Sequence, residues 1–327
     1  MTALLDGIKQ NNVLIVGRAG IDFFTDPGVT LEDSTRMTVD LGGSSANIAA
    51  GICKLGGKAT LVTRVSDDSI GSYCTRRLQY YGVDTKYVRT ISGEFRNSLA
   101  VYESVTENHR NVIYRNGAAD FEMTSEDVEA VDYTAYGALI TAGTVFAAEP
   151  SRTATFRAFE LAKDAGLPII FDVDYRPYSW PSPQVASDVL SRAAERCDMI
   201  VGNDEEFGFM AGDYAKGLDK ARELSETTTE IVIYKMGQDG ALTFTQGEEI
   251  KTGIYPVEAL KPTGAGDSFM AGLVTSLAAG HDLKTAILRG SACASITVSK
   301  PGCAPAMATT ETLETFLAEH PGPTSTG

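Results

Sequence analysis

The sequence contains few residues that could form a metal centre or the active site of a histidine-dependent hydrolase. It contains three histidines, and none stands beside a cysteine, a glutamate or a second histidine at ligand spacing. Zinc is held by closely spaced Cys, His and carboxylate side chains, and a Ser-His-Asp hydrolase needs a histidine base. Neither class is favoured.

Paired cysteines and long apolar runs are also missing. The five cysteines are scattered without a CxxC pair, so we expect reduced thiols. The first apolar run, Val13–Val16, is too short for a signal-peptide core or a membrane span. These features predict a cytoplasmic protein with no membrane partner.

Positive charge is scarce as well. The chain has 28 Lys and Arg against 43 Asp and Glu, a formal net charge of −15, and no basic run. Proteins that follow nucleic-acid phosphates need clustered basic side chains. We therefore expect no nucleic-acid partner.

Short aliphatic and β-branched runs alternate with helical patterns, such as Ser44–Leu55 and Pro150–Ala165, along most of the chain. This alternation predicts an α/β fold whose mostly parallel sheet carries helices on both faces, in one domain over residues 1–327. The predicted strands are Val13–Val16, Ala59–Val65, Ala138–Ala142, Pro168–Val173, Met199–Gly202, Glu230–Lys235 and Ala241–Phe244.

Two segments, residues 21–40 and 90–116, do not follow this alternation of apolar runs and helical patterns. They alternate polar and apolar residues without a helical stripe, as in Ser98, Ala100 and Tyr102. Such alternation is typical of short antiparallel strands. We expect these segments to form a small β-lid beside the main sheet.

A glycine-rich turn, Gly264-Ala265-Gly266-Asp267, precedes an apolar helical pattern. Its successive N–H groups can converge on one anion, and a helix N-terminus adds positive partial charge. An aspartate would repel a phosphate that was only held there, but it could serve as a base during phosphoryl transfer. The alternative is a tight turn with an ordinary first-turn aspartate.

Two better-known phosphate motifs do not fit this turn. A dinucleotide GxGxxG would need a glycine where Phe269 stands, and no GKS or GKT follows as in a Walker A motif. A phosphotransferase built on this turn is therefore not of the P-loop type.

Several motifs together resemble the PfkB/ribokinase-like carbohydrate kinases. GAGDSF (264–269) is similar to the second family signature, and GGSSANIA (42–49) with RVSDDSIG (64–71) to the first. NDEE (203–206) is similar to the family's NxxE motif, and KMGQDG (235–240) to its nucleotide loop. The resemblance implies a ribokinase-like three-layer α/β/α fold with a β-lid, and ATP-dependent phosphorylation of a sugar hydroxyl.

The resemblance also implies roles for individual residues. The catalytic group is Asp267 as the base, with Gly264, Ala265 and Gly266 as the anion hole. The remaining residues are Asp22, Gly43 and Asn47 for the acceptor, Lys235, Gly237, Gly240 and Ser291 for the nucleotide, and Asn203 and Glu206 for Mg²⁺ through water. Without the resemblance, these residues also have ordinary structural interpretations. Asp22 could be a turn residue, NDEE could be an acidic helix start, and Lys235 could be an ordinary residue at a strand end.

One departure concerns a second cation. Where the family often has Asp-Thr-Thr before the turn, this chain has Lys261-Pro262-Thr263. The aspartate that commonly helps to bind an activating monovalent cation is absent. The resemblance thus implies ATP and Mg²⁺ as cofactors but does not extend to a monovalent cation.

The segment FDVDYRPYSW (171–180) resembles kinases of keto-deoxy sugar acids, most closely the 5-dehydro-2-deoxygluconokinase branch. Because a guanidinium binds a carboxylate in a bidentate fashion, we expect Arg176 to hold an acidic acceptor. Arg115 and Tyr114 from the lid would assist it. Arg176 could instead be a surface residue paired with Asp172 or Asp174.

Other functions remain open at this stage. Alternatives within the same chemistry are phosphorylation of 2-dehydro-3-deoxygluconate, fructose or ribose. A sugar-binding regulator of the same fold and a nicotinamide oxidoreductase are alternatives from other classes, although an intact Asp267 turn argues for the kinase. The predicted partner is a small sugar or sugar acid, and a homodimer is left open.

Overall fold

The computed structural model describes residues 2–105, 110–245, 247–261, 263–320 and 322–323. In these ranges the strands are β1 (Asn12–Val16), β2 (Gly20–Thr25), β3 (Met37–Gly42), β4 (Lys58–Ser66), β5 (Asp84–Ile91), β6 (Leu99–Tyr102), β7 (Asn111–Tyr114), β8 (Ala138–Ala142), β9 (Ile169–Asp172), β10 (Met199–Asn203), β11 (Ile231–Lys235), β12 (Ala241–Thr245) and β13 (Glu248–Thr252). The α-helices are α1 (Thr2–Ile8), α2 (Ser44–Lys54), α3 (Ser69–Tyr80), α4 (Ser125–Glu129), α5 (Ser151–Asp164), α6 (Pro183–Ala194), α7 (Asp204–Ala211), α8 (Gly217–Thr227), α9 (Ala265–Ala278), α10 (Leu283–Val298) and α11 (Thr310–Glu319).

The main sheet has nine strands in the order β13-β12-β11-β10-β9-β8-β1-β4-β5. Neighbours from β11 to β5 run parallel, and β12 and β13 continue one edge in antiparallel fashion. The chain winds from β1 towards β5 and later from β8 towards β13. In such sheets the place where winding reverses leaves a crevice at the carboxyl ends of the strands.

Alternating side chains divide the hydrophobic core into two layers. On β1, Leu14 and Val16 belong to a cluster with α4 to α8, whereas Val13 and Ile15 belong to one with α1, α2, α3, α9 and α10. Successive side chains of a strand point to opposite faces, so this strand is buried on both sides. The predicted three-layer α/β/α arrangement is confirmed.

A second sheet contains four strands in the order β3-β2-β6-β7. Its outer pairs are antiparallel, as the sequence predicted, but the central β2–β6 pair is parallel. The long connection through β3, β4 and β5 allows this, because parallel partners need a crossover. Within the two predicted lid segments, residues 90–91 belong to β5 of the main sheet, and residues 106–109 lie outside the described part of the chain.

No helix in the described ranges combines the length and the apolar character needed to cross a bilayer.

The two-layer core makes a prediction about stability. Leu139 on central strand β8 is fully buried, and Leu139→Ala should lower the free energy of unfolding by about 2–5 kcal/mol. Leu31, which is 39% exposed, offers a matched control. Leu31→Ala should change the free energy of unfolding by less than about 0.5 kcal/mol. Denaturant unfolding measures both, and equal losses in the two variants would contradict this description of the core.

Candidate active site

A cavity of about 740 Å³ lies at the carboxyl ends of the parallel strands. Residues that follow β1, β8, β9, β10 and β11 line it, together with the start of α9 and inward-facing residues of β6 and β7. This volume is typical of a small-molecule site. The crevice where winding reverses therefore has the size of a small-molecule pocket, and residues of the second sheet form part of its wall.

Fifteen of the sixteen predicted site residues line this cavity. Tyr114 does not, and its side chain is 63% exposed. Along β7 and the residue after it, Asn111, Ile113 and Arg115 line the cavity, so the residue between the last two points away from it. The structure therefore places the predicted acceptor residue Tyr114 on the outer face of the second sheet.

The glycine-rich turn forms the N-terminal end of α9. Gly264 has a φ of +83°, in the left-handed region that glycine adopts most easily. No side chain in the described part of the chain caps this helix. The first-turn N–H groups of Ala265 and Gly266 are therefore available to an anion in the cavity.

Asp267 is the third residue of α9 and lines the same cavity. Asn47 near the start of α2 donates a hydrogen bond from Nδ2 to Oδ2 of Asp267 at 2.9 Å. Burial, with the field of Asp174, raises the pKa of Asp267 to about 6, although the Asn47 hydrogen bond acts in the opposite direction. The carboxylate is thus oriented and more basic than an exposed aspartate.

Asp22 on β2 is a second buried carboxylate in the cavity wall. Burial raises its pKa to about 7, against the opposing charge of Arg18. A Cβ on Gly42 would lie 2.1 Å from Oδ1 of Asp22, and one on Gly43 would lie 2.6 Å from the Arg18 carbonyl oxygen. The two glycines therefore allow the start of α2 to approach these residues closely.

The two arginines predicted to bind an acidic acceptor, Arg115 and Arg176, both have partners within the protein. Arg115 donates from Nη1 to the Thr144 carbonyl at 2.9 Å and from Nη2 to Asp120 Oδ2 at 2.5 Å. Arg176 forms an ion pair with Asp174, 2.7 Å from Nη2 to Oδ1. Of the two interpretations of Arg176, pairing with an aspartate of its own segment is the arrangement present.

Arg18 is a cavity-lining arginine that the sequence interpretation did not single out. It is 8% exposed, and its Nη1 donates to Ser98 Oγ at 2.9 Å. Nε is buried and has no hydrogen-bond partner among the described residues. The sequence does contain a signal for Arg18. It is a charged residue two positions after a buried strand, and the carboxyl ends of parallel strands form the pocket.

The NDEE segment is both an acidic helix start and part of the cavity wall. Asn203 Oδ1 accepts from the Glu206 N–H at 2.9 Å, and Glu206 Oε2 accepts from the Asn203 N–H at 2.7 Å. This is a capping box at the start of α7. Burial raises the pKa of Glu206, against the field of Lys235, which also lines the cavity.

Lys261 lies beside the glycine-rich turn. Its Nζ donates to the carbonyl oxygen of Thr263 at 2.7 Å and stands 3.4 Å from that of Thr297. An ammonium group thus contacts two backbone carbonyls at the base of the turn.

Curated relatives resemble almost the whole chain. The 5-dehydro-2-deoxygluconokinase of Geobacillus kaustophilus is 34% identical over 321 residues, which cover 96% of each chain. The 5-dehydro-2-deoxygluconokinase of Photobacterium profundum is 35% identical over 312 residues, which cover 94% of each.

Solved structures share the fold. Fructokinase from Vibrio cholerae, with fructose, ADP and calcium bound, superposes with a TM-score of 0.83 over 94% of this chain and 99% of that chain, at 23% identity. Aminoimidazole riboside kinase from Salmonella enterica, with aminoimidazole riboside and an ATP analogue bound, superposes with a TM-score of 0.78. The superposition covers 94% of this chain and 99% of that chain, at 22% identity. The model of the pfkB family carbohydrate kinases matches residues 10–310. The chain belongs to the pfkB family of carbohydrate kinases.

Proposed function

We propose that this kinase transfers the γ-phosphate of ATP to a hydroxyl of 5-dehydro-2-deoxygluconate, a keto-deoxy sugar acid. The observation that carries the proposal is Asp267, oriented by Asn47 in the uncapped first turn of α9 and open to a cavity of small-molecule size. The choice of acceptor is supported by relatives of 31–35% identity that bear the name of this activity.

Asp267 is the proposed base. At neutral pH a carboxyl group with a pKa of about 6 is mostly ionised, yet it is basic enough to accept a proton from the attacking hydroxyl. The Asn47 hydrogen bond engages Oδ2, so Oδ1 is the oxygen left for the acceptor. The N–H groups of Gly264, Ala265 and Gly266 would stabilise charge that develops on the transferring phosphoryl group.

Other residues would hold the two substrates. Asp22 and Asn47 offer oxygen and amide groups to the remaining acceptor hydroxyls, and Gly43 lets the backbone come close. The proposed nucleotide residues, all in the cavity wall, are Lys235, Gly237, Gly240 and Ser291.

Magnesium fits this site through water more readily than by direct ligation. Within the described ranges no cluster of three or more His, Cys, Asp or Glu side chains could hold a metal ion. Glu206 already accepts hydrogen bonds from the N–H groups of Asn203 and Tyr175. Mg²⁺ keeps several waters and binds mainly nucleotide phosphates, whose charge it would neutralise, so Asn203 and Glu206 are proposed to contact those waters.

No monovalent cation enters the proposed mechanism. The Lys261 ammonium group already donates to the carbonyl of Thr263 next to the turn.

The second sheet is proposed to act as a lid. Tyr102 and Ile113 from this sheet line the cavity above the acceptor residues. A kinase must keep water away from the phosphoryl group, and a sheet at the mouth of the site can do so by closing.

A panel of acceptors tests the proposed function. We expect ADP release with the highest kcat/KM for 5-dehydro-2-deoxygluconate, ahead of 2-dehydro-3-deoxygluconate, fructose and ribose. Equal or faster turnover of fructose or ribose would contradict the choice of acceptor. Binding of the acid without ADP release would instead indicate a regulator.

Asp267→Asn should lower kcat by roughly 10²- to 10⁴-fold, because the amide cannot accept the hydroxyl proton. ATP affinity and the melting temperature should change little. Asp219→Asn is the matched control, since Asp219 also lies in the first turn of a helix, α8, but outside the cavity. More than about a third of wild-type turnover in Asp267→Asn would remove this residue from the mechanism.

The wild-type kcat/KM should rise with pH through about 6 as Asp267 loses its proton.

Lid closure predicts a change in hydrogen exchange. Amides of β2, β3, β6 and β7 should exchange more slowly when acceptor and a non-hydrolysable ATP analogue are bound together. Helix α8 serves as the internal reference because none of its residues lines the cavity. Unchanged exchange throughout the second sheet would count against a lid.

A further inference from the structure

We infer that Arg18 binds the carboxylate of the acceptor and thereby decides between acidic and neutral substrates. This inference rests on the proposed function, which supplies an acceptor with a carboxylate. Arg18 takes the role that the sequence pattern suggested for Arg176 and Arg115.

The three guanidinium groups in the cavity differ in whether they are already paired. Arg115 and Arg176 each have a carboxylate partner at 2.5–2.7 Å, so an acid would have to compete with Asp120 or Asp174. Arg18 forms no ion pair with any residue of the described ranges, and its side chain donates a hydrogen bond to the neutral Ser98 hydroxyl. Of the three cavity-lining arginines, it alone has its charge unmatched by a direct contact.

The charge of Arg18 is maintained without a direct carboxylate contact. Burial by itself would lower the pKa of Arg18, but the fields of Asp120 and Asp22 outweigh burial and raise the pKa above its usual value. Asp120 is itself engaged by Arg115. A carboxylate from a ligand would therefore supply the contact that the protein does not.

The nitrogens of the Arg18 guanidinium differ in what they can reach. Nη1 donates to Ser98, and Nε is buried without a hydrogen-bond partner in the described ranges, so a molecule in the cavity does not reach it. Nη2 makes no hydrogen bond to the described residues, and Arg18 lines the cavity. A carboxylate would therefore bind at the Nη2 end of this planar, charged group.

Arg18 lies close to the proposed base and to the acceptor residues. Its carbonyl accepts the Ala46 N–H at 3.1 Å, which joins the loop after β1 to the residue before Asn47. Burial raises the pKa values of Asp22 and Asp267, and the Arg18 charge lowers both, so the three side chains share one electrostatic environment. One small acceptor can therefore place its carboxylate at Arg18 and its reacting hydroxyl at Asp267.

The test compares an acid with its neutral counterpart. Kinetics are measured with 5-dehydro-2-deoxygluconate and with the corresponding ketose in which a primary alcohol replaces the carboxylate. Arg18→Gln should lower kcat/KM for the acid by roughly 30-fold or more, mainly through KM, while kcat/KM for the ketose and KM for ATP change little. Arg18→Lys should recover part of the loss, because an ammonium keeps the charge but not the planar fork.

Two further variants make the comparison decisive. Arg222→Gln is the matched control, because Arg222 pairs with Glu249 and lies outside the cavity. Arg176→Gln tests the rival arginine, and melting temperatures report on folding. If the preference for the acid survives in Arg18→Gln and Arg18→Lys but is lost in Arg176→Gln, the inference is overturned and the proposed function stands.

A structural role for Arg18 has a different signature. Parallel losses for acid and ketose in both Arg18 variants, with a lowered melting temperature, would overturn the inference as well. A wild-type enzyme that uses the neutral ketose as well as the acid would overturn the proposed function and this inference together.

Discussion

The hydrogen bond from Asn47 to Asp267 joins two helices whose contacting residues lie 220 positions apart in the chain. It forms only because α2 and α9 pack closely on the same face of the main sheet. Gly51 of α2 faces Ala271 of α9, and a Cβ on Gly51 would lie 2.7 Å from the Ala271 Cβ. A larger residue at position 51 would push the helices apart, and the orientation of the proposed base would be lost.

The site also shows how an acidic protein can bind anionic substrates. The net charge of −15 belongs to the whole chain, but the cavity presents arginines, a lysine and uncapped helix N–H groups at defined places. Local fields in a pocket of low dielectric constant outweigh distant surface charge that solvent screens. Asp120 and Asp174 pair with two of the arginines, whereas Arg18 has no direct carboxylate partner among the described residues.

Burial is the common cause of the altered acid–base properties around the cavity. It raises the pKa of Asp267 to about 6 and that of Asp22 to about 7, and it raises the pKa of Asp172 well above its usual range. Lys235 partly opposes the shift at Asp172. Carboxylates that are packed together and removed from water thus become stronger bases, which suits the proposed proton transfer.

The sequence by itself determined the layered fold, because β-branched runs and helical spacing are local patterns that burial on two faces requires. All seven predicted strands are present, and fifteen of the sixteen proposed site residues line one cavity. The sequence did not predict β5 or β13. These outermost strands of the main sheet carry charged residues and lack a continuous apolar run. Only the tertiary structure decided that Tyr114 faces outward, that Arg115 and Arg176 are already paired, and that Arg18 is not. The reach of a long side chain allows many partners, and packing between segments distant in sequence selects among them.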